Sequence, residues 1–288
     1  VNVSYLYGGI TTFNGIGGHY GDPDQPLILE TDEAFNTFEK IKISDLLVLN
    51  VDSDHLDYFK NLDNYKDAFY KVMKNVTDNL VINNDDLNIK SMKDLKNPVS
   101  YGKDTSADFK VESPGNFKYE NNKYEIKSDI IGDHFKSNML GAIILALLNG
   151  IEIKDSLNAI ESFAGVKRRI ELIGISKGVL IYDDYGHHPT EMEATITALK
   201  QQTECKLYVV FQPHRYTRTM EYFSSFKDSL KLADFAIVTD IYPAGESPIP
   251  GISSKNFEEE GIKYLKSIRY VPEYLSLIHI SEPTRRLA

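Results

Sequence analysis

Two stretches of this chain gather side chains able to hold a charged substrate. Asp183-Asp184-Tyr185-Gly186-His187-His188-Pro189-Thr190-Glu191 follows the apolar run Gly178 to Tyr182, and Phe211-Gln212-Pro213-His214-Arg215-Tyr216-Thr217-Arg218-Thr219 follows Lys206 to Val210. Carboxylates and imidazoles hold or tune a cation, while arginine forks clamp carboxylate or phosphate. The chemistry implied is recognition of an anionic, metal-associated substrate. A lone histidine or aspartate at such a position is often only a cap or a solvated loop residue, and Thr190 with Glu193 fits a plain helix start. Two dense clusters at matching positions favour the chemical reading for each cluster as a whole.

The elements that must position them follow from the apolar pattern. Each short run rich in β-branched residues predicts a buried parallel strand, and the periodic segment after it predicts a helix. Two successive β-α units would place both clusters at the carboxyl ends of neighbouring strands, where open α/β sheets bind ligands. Asp183, Asp184, His187, His188, His214, Arg215 and Arg218 are then expected on one rim.

At 288 residues the chain is long enough for two domains, each with its own core. It contains no long apolar run, which argues against membrane insertion, and its formal charge of −10 argues against a nucleic-acid partner. A single cysteine, Cys205, allows no internal disulfide, and with no signal peptide read at the start a reducing cytoplasm is the expected compartment.

From the start, residues 1–7 and 26–30 read as strands around a Gly-rich loop over residues 8–22. The spacing of Gly15, Gly17 and Gly18 matches no dinucleotide fingerprint, and no P-loop pattern occurs anywhere, the triplet Gly102-Lys103-Asp104 included. The strand over residues 44–51 runs into Asp52-Ser53-Asp54-His55-Leu56-Asp57, so acid and imidazole stand at strand ends here too. Glu30 and His55 are candidate ligands for one divalent ion, weighed against ordinary loop acids in an acidic chain. Residues 61–76 have a helical period with Leu62, Tyr65, Phe69 and Val72 on one face. Residues 79–82 read as a strand, 90–127 as edge strands and loops without chemistry, and 139–148 and 155–163 as a helix pair. The basic run Gly165-Val166-Lys167-Arg168-Arg169 reads as a hinge whose arginines could face a nucleotide, or as a solvated linker. Residues 233–239 form a third strand ending at Asp240-Ile241-Tyr242-Pro243-Ala244-Gly245-Glu246; 256–268 are expected as helix, and 269–271 as the start of another strand.

Taken together the motifs resemble the Mur ligase family of peptidoglycan synthesis, in its alanine-adding branch. The resemblance runs from Glu30-Thr31-Asp32-Glu33 through Asp54-His55-Leu56-Asp57, His134 to Asn138, the 165–169 run and both clusters to Tyr242-Pro243-Ala244-Gly245-Glu246. It implies an α/β fold, part of a central ATPase domain over residues 1–164 followed by a Rossmann-like ligase domain over 165–274. It also implies that a UDP-binding domain and a P-loop lysine lie outside this chain. Residues 275–288 fit neither domain and resemble a non-native tail. The implied cofactors are ATP and Mg2+, the implied substrates UDP-N-acetylmuramate and L-alanine, and the implied reaction an acyl-phosphate ligation. By the same resemblance Glu30 and His55 are metal ligands; Asn138 and His134 meet adenine; Arg168, Arg169 and Asp184 meet the rest of the nucleotide. Tyr185, His187, His214, Arg215 and Arg218 surround the amino acid and the muramyl carboxylate. Phe135 stands where the family commonly has Asn, and the segment from Glu30 to Phe35 matches only in part.

Two other readings compete. Asp183, Asp184, His187 and His188 would serve a metal-dependent hydrolase, which predicts metal binding without nucleotide. A chain without a P-loop would, alternatively, be a ligand-binding module inactive by itself.

Overall fold

The computed structural model describes residues 2–11, 15, 17–31, 33–267 and 269. The chain forms two compact units, Val1–Lys167 and Arg168–Ala288. The strand expected over 269–271 and the tail 275–288 lie outside the described residues, apart from Arg269.

In the first unit, β1 (Ser4–Leu6) pairs antiparallel with β2 (Gly18–His19) and parallel with β3 (Leu27–Leu29). The Gly-rich loop therefore contains a strand that its composition hides. A six-stranded sheet follows: β4 (Asp45–Val48), β5 (Asn79–Asn83), β6 (Val99–Gly102), β7 (Phe109–Ser113), β8 (Asn116–Tyr119) and β9 (Asn122–Glu125), ordered as in sequence. Pairing is parallel from β4 to β7 and antiparallel from β7 to β9. The last hairpin turns on Glu120 and Asn121, both at positive φ, which matches strand twist in a two-residue loop.

Helices α1 (Leu56–Phe59), α2 (Leu62–Lys74) and α3 (Leu87–Ser91) connect the parallel strands; α4 (Asp133–Leu148) and α5 (Ile153–Glu161) follow the sheet. Successive residues of β5 face opposite ways. Leu80 and Ile82 join Val72, Met73 and Ile89 in one core, and Val81 joins Tyr101, Leu140 and Ile144 in another. A strand covered on both faces reads as an unbroken apolar run, as Leu80-Val81-Ile82 does. Asn61 caps α2 by accepting from the Asn64 amide at 2.8 Å, and Tyr65 and Val72 of the expected face are buried, while Leu62 is not. Helix α4 starts six residues before the apolar run that announced it, so His134 and Asn138 stand on its first turns.

The second unit departs from expectation. Strand β10 (Glu171–Ser176) pairs antiparallel with β11 (Val179–Asp183) in a separate two-stranded ribbon. The run expected as a buried parallel strand is thus half of a hairpin, with Val179, Leu180 and Ile181 exposed. The reason is the turn: Lys177 and Gly178 take φ of 49° and 83°, the conformation that closes a two-residue hairpin. The parallel sheet is β12 (Tyr208–Phe211), β13 (Phe235–Val238) and β14 (Ile262–Tyr264), reached through α6 (Pro189–Gln202), α7 (Tyr216–Glu221) and α8 (Phe223–Leu230). The helix expected over 256–268 is instead a 3-10 turn, Ser254–Phe257, then β14. Gly261 at φ 82° breaks any helix there, and Ile262 is buried where it pairs with Ala236 along the open edge of β13. Met192, Phe226, Leu230, Val238 and Phe257 fill this unit's core.

Candidate active site

Although β11 lies outside the parallel sheet, the two clusters of the second unit meet. The His187 and His214 rings stand edge to face, 5.9 Å between centroids, and His214 stacks on Tyr242 at 5.5 Å. His187 and His188 sit at the start of α6, where Pro189 occupies the first helical position and needs no amide partner. Glu191 reaches back to accept the backbone N–H groups of His187 at 2.9 Å and His188 at 3.2 Å. The His188 ring accepts the Thr190 amide at 3.4 Å and is buried, so His188 caps the helix. The helix start is thus set by His188 with Glu191, and the pairing of Thr190 with Glu193 is not the device used.

Glu191 also faces Arg169 at 3.5 Å and the His187 ring at 3.6 Å. Burial pushes its carboxyl up, but the His187 amide, the His187 and Arg169 charges and the His188 amide outweigh this and hold it below the usual range. Asp184 gives one oxygen to the Gly186 amide at 2.8 Å and the other to the Ile170 amide at 2.9 Å. Arg168 lies over the Tyr185 ring at 4.7 Å, with its Nε 3.3 Å from Asp183.

The second cluster is built on the exit from β12. Arg215 precedes α7 with φ 67° and ψ 141°, and Arg218 is buried within that helix. Burial lowers the His214 pKa, and the neighbouring His187, Arg218 and Arg215 lower it further against the pull of Glu246. His214 is therefore kept neutral beside cationic neighbours. A neutral imidazole among arginines is suited to receive a proton next to a bound anion.

In the first unit, His134 and Asn138 are one turn apart on α4 and share a face. The His134 ring packs on Phe135 at 4.2 Å, and Phe135 itself leans on the core. His55, at φ 53° before α1, faces Glu33 at 3.8 Å and Asp54 at 3.9 Å. The Tyr65 hydroxyl donates to Glu33 at 3.1 Å; burial, then that carboxylate, raise its pKa far above the ordinary phenol range. Glu30 accepts the Gly8 amide at 2.6 Å. The acids around His55 are thus Glu33 and Asp54, whose side chains were not singled out from sequence. Their signal was their adjacency to the chosen positions.

The hydrolase quartet is not assembled. Asp183 faces Arg168, Asp184 is engaged by two amides, and His188 is a buried cap; among the described residues no group of three or more His, Cys, Asp or Glu side chains could hold a metal ion. Glu191 and Glu246, each inside a quoted motif, were given no role from sequence, because a carboxylate three residues after a cap, as Glu191 is, looks like any helix start, and one in a loop, as Glu246 is, looks like a solvated acid.

Comparison with known proteins decides the family. Residues 33–146 match the Mur ligase middle domain, and residues 168–280 match the Mur ligase glutamate ligase domain. The chain belongs to the Mur ligase family. Among curated relatives of this Mur ligase chain, the UDP-N-acetylmuramate--L-alanine ligase of Dictyoglomus turgidum is 40% identical, over 81% of this chain and 53% of its own length. That of Caldicellulosiruptor saccharolyticus is 36% identical, over 86% and 58%. The chain thus spans a little over half the length of these relatives. The crystal structure of UDP-N-acetylmuramate-alanine ligase from Thermotoga maritima superimposes with a TM-score of 0.74 at 24% identity, over 94% of this chain and 62% of that one. The MurF ligase from the same organism, solved in complex with ADP, gives 0.66 at 20% identity, over 99% and 68%. These structures share the fold of this Mur ligase chain. Among the described residues, no helix is long and apolar enough to cross a membrane.

Proposed function

We propose that this chain is part of an ATP-dependent ligase that joins L-alanine to UDP-N-acetylmuramate through an acyl phosphate, in the cytoplasm, for peptidoglycan synthesis. The observation that carries the reading is the convergence of His187, neutral His214, Arg215 and buried Arg218 beside Tyr185 and Tyr242. The names of the relatives support the substrates, and the ADP held by the MurF neighbour supports the nucleotide.

In this reading, residues 1–164 act as the ATP-binding domain and residues 165–274 as the ligase domain. Asn138 and His134 meet adenine, and Arg168, Arg169 and Asp184 meet the ribose and phosphates. Arg215 and Arg218, with Tyr185, grip the muramyl carboxylate. ATP transfers its terminal phosphoryl group to that carboxylate; the alanine amine attacks the acyl carbon, phosphate leaves, and the amine's proton passes to His214, with His187 beside it. Glu30 keeps one carboxylate oxygen without a partner among the described residues, and Mg2+ takes only one or two carboxylates, with phosphate oxygens and waters completing its shell. Glu30 therefore fits such an ion, with His55, whose acidic neighbours are Glu33 and Asp54, proposed as its second ligand, and the ion when bound would neutralise charge on the transferring phosphoryl group.

The 288 residues hold no P-loop pattern to cradle phosphates, so this chain by itself is expected to be inactive. The experiment is an assay of phosphate release with ATP, Mg2+, L-alanine and UDP-N-acetylmuramate, run on the intact ligase that carries these residues and on the 288-residue chain. Turnover by the first alone is expected. Ligation by the chain alone overturns the inactivity, and no turnover by either moves a ligand-binding role to the front.

A further inference from the structure

Arg215 occupies φ 67° and ψ 141°, a backbone region that side chains with a Cβ avoid. Such a conformation persists only where the surroundings over-determine it, and here a second loop joins α7 in holding it. The Tyr242 N–H donates to Pro213 O at 2.8 Å and the Arg215 N–H donates to Tyr242 O at 2.9 Å, so this loop fixes the backbone on the amino side of Arg215, while on the carboxyl side the Arg215 carbonyl accepts from the Thr219 N–H at 3.1 Å and the Thr219 hydroxyl at 2.7 Å. The Tyr242 ring lies on the His214 ring with 17° between planes.

After Tyr242 the chain turns back on itself. Ala244 and Gly245 take φ of 47° and 89°, and the Glu246 N–H donates to Pro243 O at 2.9 Å, closing a tight turn. That turn swings the Glu246 carboxylate over the start of α7. It accepts the Thr217 amide at 3.0 Å and the Thr217 hydroxyl at 2.6 Å, and it stands 3.9 Å from the Arg215 guanidinium. The backbone entering Arg215, the His214 ring, Thr217 and the Arg215 charge are thus all contacted by five residues of another loop.

We propose that Tyr242–Glu246 is a template that holds Arg215 in its strained backbone and aims its guanidinium at the substrate carboxylate, with Glu246 as the positioning residue. The assignment of that carboxylate rests on the ligase reading above. Glu246 does not touch the substrate in this scheme; it acts through Thr217 and Arg215.

The test uses the 288-residue chain with Glu246→Ala and Glu246→Gln. The first readout is the sign of the Arg215 φ, from its one-bond Cα–Hα coupling and its intraresidue amide-to-Hα NOE by NMR. In Glu246→Ala the residue is expected to relax to negative φ, and in Glu246→Gln, where the amide oxygen still accepts from Thr217, to stay positive. An unchanged φ in Glu246→Ala overturns the template. The second readout is titration with UDP-N-acetylmuramate and, separately, ADP. Glu246→Ala should weaken the first about tenfold and leave the second alone, since misaiming a positioned group costs at least that much. Equal weakening of both ligands overturns the proposal in favour of general destabilisation. If the unsubstituted chain takes up no UDP-N-acetylmuramate, the ligase reading loses its support from this fragment, while the Arg215 coupling still decides the template.

Discussion

The two polar clusters of the second unit look alike in sequence and are carried by different kinds of structure. His214 and Arg215 leave β12, a strand of the parallel sheet whose last residue, Phe211, is buried against Phe226. Tyr185 and His187 leave β11, half of an exposed two-stranded ribbon. One cluster is rooted in a packed core and steadied by the Tyr242–Glu246 loop, the other is held by polar contacts at its own base: Asp184 with two amides, Arg168 with Asp183, Glu191 with the start of α6. An apolar run therefore tells where a cluster begins, and its partner strand tells what holds it there.

The contrast can be broken most severely at the core. Phe226→Ala should cost about 3–5 kcal/mol in chemical denaturation of the second unit, because a fully buried ring leaves a cavity; a loss under about 1 kcal/mol would mean that the sheet does not carry the His214 cluster. Gly178→Val comes next. At φ 83° a β-branched residue is strained, and a penalty of about 1–2 kcal/mol with loosened Val179 and Ser176 amides in hydrogen exchange is expected. Glu191→Ala should cost about 1 kcal/mol through its lost helix-start bonds. Since the folded Glu191 pKa is depressed, its contribution is present above the unfolded carboxyl pKa and fades as pH falls through the lower folded value; a stability difference between Glu191→Ala and the parent that does not shrink on acidification contradicts this. His214 acts with the same sign. Its lowered pKa favours the neutral ring, so its penalty is absent above the unfolded histidine pKa of about 6.5 and grows as pH falls below it. NMR titration of the His214 ring should find its midpoint below the ordinary histidine value of about 6.5. The smallest effect belongs to the ribbon surface: Ile175→Ser should change stability by no more than about 0.5 kcal/mol.

Much of this molecule was legible beforehand. Leu80-Val81-Ile82 and Ala236-Ile237-Val238 read as strands because burial on both faces leaves no polar positions. The stripe of Tyr65, Phe69 and Val72 read as a helix face. Strand β10 was missed because Leu172, Ile173 and Ile175 carry no regular alternation across the irregular register at Gly174, and Lys177-Gly178 was passed over as a turn. Strand β14 was missed because three residues offer almost no periodicity; its pairing with β13 is a tertiary decision. In the site, His187, His214, Arg215 and Arg218 stood out as rare residue types packed closely in sequence. Glu191 and Glu246 did not, because an acid becomes a support only through what the fold brings to its oxygens.

The exposed ribbon has a practical consequence for anyone handling the chain. Leu172, Ile173, Ile175, Val179, Leu180 and Ile181 all face solvent, and neither outer edge of the hairpin is paired among the described residues. Such an edge invites strand-to-strand aggregation, which the net charge of −10 opposes at neutral pH. That repulsion disappears near the isoelectric point of about 5.2, it is screened by salt, and the apolar attraction it resists grows on warming. Solubility should therefore be greatest in cold, dilute buffer well above pH 5.2, with turbidity appearing first on acidification.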